Sequence, residues 1–149
     1  SIKAIEINGE NIEEAYSPMS VSVTLNDDLD ISRGDMIVKE NNVPVISQDI
    51  DLMICWMDSA NLKSRKKVII KHTTNECMGI ITDILYKLDI NTLHSIKDFE
   101  DFKLNDIGRI KIRSSKPLFY DSYKKNRHTG SIILIDPNTN ATIAAGMII

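Results

Sequence analysis

The chain lacks the glycine patterns that handle nucleotides. Its six glycines stand at 9, 34, 79, 108, 130 and 146. None belongs to a G-x-x-x-x-G-K-[ST] phosphate loop. No two are four apart, which excludes a G-x-S-x-G nucleophile elbow, and no two are two apart, which excludes a G-x-G dinucleotide fingerprint. Cysteine is nearly absent. Cys55 and Cys77 sit in apolar, strand-like runs and form no C-x-x-C, so the reading is two buried, reduced thiols rather than a disulfide or a zinc site. The three histidines, His72, His94 and His128, are scattered and read as loop or strand-end polar residues rather than metal ligands or bases. Aromatic residues make up 5%. No apolar run approaches a membrane span, and no basic segment followed by an apolar one marks a leader. A cytoplasmic protein with no membrane partner is expected.

What is present is strand-forming. In Ser20–Leu25, Val21, Val23 and Leu25 alternate with Ser20, Ser22 and Thr24, the pattern of a half-buried strand. Ile2–Ile7 is a weaker strand closed by the Asn8-Gly9 turn signal. Ile50, Leu52, Ile54 and Trp56 share one face, while Met53, Cys55 and Met57 share the other with Asp51. A strand apolar on both faces is covered on both, here by a core on one side and a neighbouring domain on the other. Further strands are expected at 36–38, 68–72, 78–87, 107–113, 118–121, 131–136 and 142–149. Asp136-Pro137-Asn138-Thr139-Asn140 reads as the turn between the last two. One short helix is expected where Ser95 and Asp98 resemble a capping box and Ile96, Phe99 and Phe102 follow at helical spacing. Many short strands with polar turns make an all-β barrel or sandwich.

Charge is unevenly spread. Residues 1–60 hold 3 Lys and Arg against 12 Asp and Glu, or −9, and the remainder holds 15 against 9, or +6, giving the net −3. Asn41, Asn42 and Pro44 interrupt the strands close to this change. A domain boundary is placed there, with residues 1–41 before it and 42–149 after it. Arg109, Lys111 and Arg113 alternate with Ile110 and Ile112, so one strand shows a basic stripe outward. Lys116, Lys124, Lys125 and Arg127 follow. Arg109, Lys111, Arg113, Lys124, Lys125 and Arg127 form the candidate partner interface. Two readings stay open: a surface for an anionic partner, or a solvated face that protects a sheet edge. Few aromatics flank the stripe, which disfavours nucleic acid as the partner.

Four segments carry a family resemblance: DLDISRGDM from Asp28, the strand around Cys55-Trp56-Met57, LNDIG from Leu104, and the tail PLFYDSYKKNRHTGSIILIDPNTNATIAAGMII from Pro117. Together they resemble the large, GTP-binding subunit of bacterial sulfate adenylyltransferase, a relative of the elongation factor Tu and 1-alpha type GTPases. Ala144 stands where the family often has Gly. The resemblance implies a translation-factor-type antiparallel β-barrel over about 42–149, preceded by the last strands of another barrel over about 1–41. In the family a GTPase domain precedes both, and the complex makes adenylyl sulfate and pyrophosphate from ATP and sulfate, coupled to GTP hydrolysis.

GTP and Mg are expected only in that GTPase domain, so this chain is expected to be catalytically silent and to hold no cofactor. Its expected role is to support the GTPase domain and contact the small catalytic subunit. Strands cut from a barrel have open edges, so residues 1–41 are expected to pack on the second barrel or to pair with another copy. A translation-factor barrel pair binding aminoacylated RNA is the alternative. The tripeptide Arg33-Gly34-Asp35 suggests an adhesion tag, but the turn formers Asp27, Asp28 and Asp30 around it read as a reversal that needs Gly34.

Overall fold

A computed structural model describes all residues, Ser1–Ile149. Two compact units divide the chain, Ser1–Ser32 and Arg33–Ile149. The reading from sequence set its boundary at 41/42.

The first unit is a three-stranded antiparallel sheet. Its strands are β1 (Ile2–Ile7), β2 (Glu10–Ile12) and β3 (Ser22–Leu25), in the order β2-β1-β3. Ile7 pairs with Glu10, so Asn8 and Gly9 alone make the β1–β2 turn. Both have positive φ, 51° and 86°, as the hairpin turn of matching twist requires. The sheet is thinly covered: Ile2 is 49% and Val23 38% exposed.

The second unit contains β4 (Val45–Trp56), β5 (Lys67–His72), β6 (Asn75–Leu88), β7 (Ser95–Ile96), β8 (Ile107–Tyr120), β9 (Ser131–Ile135) and β10 (Thr142–Ile148). Strand order runs β5-β9-β10-β4-β8-β6, and β6 pairs back onto β5. Six antiparallel strands therefore close a barrel, with β7 added outside on β6. Closure removes the edges that an open sheet would present. The interior is filled by the alternation seen in the sequence. Ile50, Leu52, Ile54 and Trp56 of β4, Val68 and Ile70 of β5, and Ile110 and Ile112 of β8 are each at most 2% exposed. The structure has no helix long and apolar enough to cross a membrane.

Three expectations are corrected. No helix forms after Ser95: Ile96 pairs with Lys87 as part of β7, and Phe102 makes a bridge with Leu62. The helical spacing was accidental, because Phe102 is 1% exposed in the core and meets Phe99 edge to face at 6.1 Å. A segment this short gains too little from helix formation to resist that burial. Residues 36–38 form no strand, and Ile37 and Val38 are exposed. The strands expected at 107–113 and 118–121 are one strand with an irregularity inside it. Ser47 pairs with Leu118 and Asp49 with Arg113, so Gln48 alone stands opposite four residues. Pro117, which has no N–H for a ladder, fits there. Gln48 Nε2 donates to the Ser114 carbonyl at 3.2 Å, and Ser114 Oγ donates to Lys116 O at 2.7 Å.

Arg33-Gly34-Asp35 is tied to the barrel. Arg33 Nε donates to Thr74 O at 3.3 Å, and Gly34 is buried with φ +107°. A Cβ there would lie 3.1 Å from Asn75 Cγ. An adhesion motif needs an accessible loop tip, and this glycine is not one. Gly34→Val is expected to cost about 1–3 kcal/mol through the forced backbone and the crowded Asn75. Equal thermal stability of the variant and the parent would refute this.

Candidate interaction surface

β8 sets the basic stripe on the outside of the barrel by turning Ile110 and Ile112 inward. It guards no edge, however, since β8 lies between β4 and β6. That reading is corrected. The register also places carboxylates against the stripe. Asp49 stands opposite Arg113, and Lys111 stands between Asp51 and Asp83. Arg113 Nη1 donates to both oxygens of Asp49, at 3.2 and 3.1 Å. Both side chains are more than half exposed, so the pair contributes about 1 kcal/mol at most. Arg109 Nη2 donates to Asp51 Oδ2 at 2.6 Å. That bond holds the Arg109 pKa above its ordinary value, against the opposing effect of desolvation. The stripe is therefore one half of a cross-strand charge lattice. Its other half comes from β4 and β6.

Lys124, Lys125 and Arg127 occupy the loop between β8 and β9. The loop is held by its own hydrogen bonds. Asp121 accepts from Lys125 Nζ at 2.7 Å and from Thr129 Oγ1 at 2.9 Å. Lys125 above all keeps the Asp121 carboxyl below its usual pKa. Tyr123 N donates to Ile148 O, and Ile148 N to Gly130 O, both at 2.8 Å. His72 is buried and its Nε2–H donates to Thr129 O at 2.7 Å, which anchors the loop to the end of β5. The Arg127 guanidinium lies 6.0 Å over the Tyr123 ring. Of the six candidate residues, Arg109, Arg113 and Lys125 are in ion pairs, while Lys111, Lys124 and Arg127 are not. His94 and His128 are exposed, Cys55 and Cys77 are unpaired and half-buried rather than buried, and no group of three His, Cys, Asp or Glu residues is placed to hold a metal ion.

The outward face of β4 is where the sequence spoke less directly. Ala145 of β10 pairs with Ile133 of β9 on one side and with Cys55 of β4 on the other, and Cys55 pairs with Ile107 of β8. An apolar row thus crosses four strands on the outside of the barrel. The next row brings Met147 against Met53 and Met53 against Arg109. Two hollows open here, of about 310 Å³ and about 430 Å³, and both are lined by Met53, Tyr123 and Met147. Arg109 and Lys124 also line the second hollow. The apolar second face of β4 was the only signal for this patch. Its partners on β9 and β10 are invisible locally, because they come together only through the register.

A third hollow, of about 670 Å³, is lined by Asp49, Asp51, Asp83 and Lys111 among others. Its three carboxylates against one lysine make it an electronegative hollow, unfavourable for an anionic ligand.

Residues 49–149 match the family described as GTP-eEF1A C-terminal domain-like. This chain belongs to that family. It is 49% identical over 96% of its length to a bifunctional enzyme CysN/CysC of Mycobacterium tuberculosis, and 42% identical over 99% of its length to sulfate adenylyltransferase subunit 1 of Bacteroides fragilis. The chain covers 24% and 31% of those relatives. A solved structure of sup35 complexed with GDP superposes with a TM-score of 0.83 at 17% identity, over 99% of this chain and 36% of that one. That likeness shows the fold. The recognition drawn from the tail and from DLDISRGDM is borne out, as is the all-β, translation-factor-type barrel.

Proposed function

We propose that this chain is the non-catalytic β-barrel part of the GTPase subunit of a sulfate adenylyltransferase, which joins ATP and sulfate into adenylyl sulfate and pyrophosphate. Its work is mechanical: it supports the GTPase domain and contacts the small catalytic subunit. The observation that carries this is 40–49% identity to sulfate adenylyltransferase subunit 1 and CysN/CysC proteins along nearly the whole chain. GTP and Mg belong to the GTPase domain in this reading, and the six basic residues named above border the contact with the small subunit. In this reading residues 1–41 are the last strands of the first barrel, and their open edges pair with another copy of the chain.

Gel filtration of the chain with a sulfate adenylyltransferase small subunit tests the reading. A stable complex is expected, with no GTP binding by the chain alone in calorimetry. A failure to bind the small subunit, together with tight, salt-sensitive binding of aminoacylated RNA, would replace it with a translation-factor function.

A further inference from the structure

The charge lattice changes which basic residues are available to a partner. Arg109 and Arg113 already hold Asp51 and Asp49. Lys124 and Arg127 hold no carboxylate, and both are exposed. They border the apolar rows, for Lys124 lines the same hollow as Met53, Met147 and the paired Arg109, and Arg127 stacks on Tyr123. Ile133 and Met147 are 39% and 41% exposed in this patch, and Met57 at the end of β4 is 48% exposed. An apolar floor with a basic rim matches an interface whose core excludes charge and whose rim selects it. Methionines on the floor adapt to the shape of an inserted side chain.

We infer that the outer face of β4, β9 and β10, with the β8–β9 loop, docks an acidic protein segment that inserts apolar side chains into the hollows beside Tyr123. The carboxylates of that segment meet Lys124 and Arg127. A second copy meeting the first through this same face would set like charges against each other across a two-fold axis, which disfavours it. This inference deepens the reading above by assigning the docking centre to the loop and the apolar rows instead of the Arg109–Arg113 stripe. It relies on that reading only for which protein supplies the segment.

The test is an amide NMR titration of the labelled chain with two synthetic peptides and with the small subunit. One peptide alternates Leu and Phe with Glu and Asp. The other has Lys in place of every acid. Saturable shifts at Met53, Cys55, Tyr123, Lys124, Ile133 and Met147 are expected with the acidic peptide and with the small subunit. Lys124→Glu combined with Arg127→Glu is expected to weaken acidic-peptide binding about tenfold, and Arg113→Glu to change it less than about twofold. Both variants alter exposed side chains, and unchanged spectra of β4 would confirm that they fold. Equal binding of the basic peptide, shifts confined to the Lys111–Asp83 hollow, or shifts at this face that follow protein concentration alone would overturn the inference. Peptide binding here with no response to the small subunit would sink the parent reading and leave this one standing. Small-subunit binding elsewhere would do the reverse.

Discussion

Gly130→Val should destabilise the barrel by about 3 kcal/mol or more and dismantle the β8–β9 loop. A Cβ on Gly130 would lie 2.4 Å from Tyr123 Cα, 2.5 Å from Tyr123 N and 2.7 Å from Asn126 O. All three are main-chain atoms, so no side-chain rotation relieves the clash. The backbone must move, and it is fixed on both sides: Gly130 N donates to Asn126 O, and Gly130 O accepts from Ile148 N, each at 2.8 Å. Overpacking of a well-packed site costs about 1–3 kcal/mol even where side chains can adjust, and here they cannot. Gly9→Ala is the contrast. Nothing lies within 4 Å of its Cβ, so only the cost of φ +86° remains, about 1 kcal/mol. Urea denaturation followed by tryptophan fluorescence separates the two, because Trp56 is the single tryptophan and sits inside the barrel. The Gly130→Val midpoint should fall steeply, while Gly9→Ala, in the three-stranded unit, should leave it in place. A Gly130→Val midpoint equal to that of the parent would show that the loop yields freely, and the docking surface would then lose its rigid rim.

What could be read in the sequence was whatever a strand writes locally. Alternation placed Ile50, Leu52, Ile54 and Trp56 inside and Arg109, Lys111 and Arg113 outside, and the structure agrees at each. The turn at Asp136 was also legible. Its carboxylate accepts from the N–H of Asn138 at 2.9 Å and of Thr139 at 3.3 Å, as well as from Lys66 Nζ at 2.9 Å, and Asn140 takes φ 56°. The first two bonds are local and were implied by the residue types. The third joins residues far apart in the chain and was not. The same limit hid the partners of the basic stripe. Asp49 and Asp51 are written in the sequence, but that they face Arg113 and Arg109 depends on which strand lies beside β8, and register is a tertiary fact. Helical spacing misled at Ile96, Phe99 and Phe102 because three apolar residues fit a short helix and an irregular core segment equally well. The candidate site was half legible for the same reason. Its charges were visible, whereas its apolar floor is assembled from β9, β10 and β4.

Trp56→Ala should cost about 3–5 kcal/mol, the usual range for removing a large aromatic from a core. Trp56 is completely buried at the end of β4, where its backbone N donates to Asp106 O and its carbonyl accepts from Asn105 N. Its Nε1–H donates to Ala60 O at 2.8 Å and so fixes the turn after β4. Alanine would leave a cavity under that turn and an unpaired carbonyl beside it. Trp56→Phe separates the two effects: most of the apolar volume stays, and only the hydrogen bond is lost, at about 0.5–1.5 kcal/mol. Circular dichroism in urea can follow both variants, which lack the fluorophore. A typical domain has about 5–15 kcal/mol of stability in total, so the alanine variant stands near the edge of unfolding and the phenylalanine variant well inside it. Equal losses in the two would mean that the bond to Ala60, rather than the packing, anchors this end of the barrel. The distinction matters for the outer face as well, since Met57 follows Trp56 directly and Cys55 precedes it. A loosened Trp56 would let that part of β4 shift, and with it the apolar row it shares with Ala145 and Ile107. In the alanine variant, binding at the outer face should therefore weaken along with stability, whereas the phenylalanine variant should bind as the parent does.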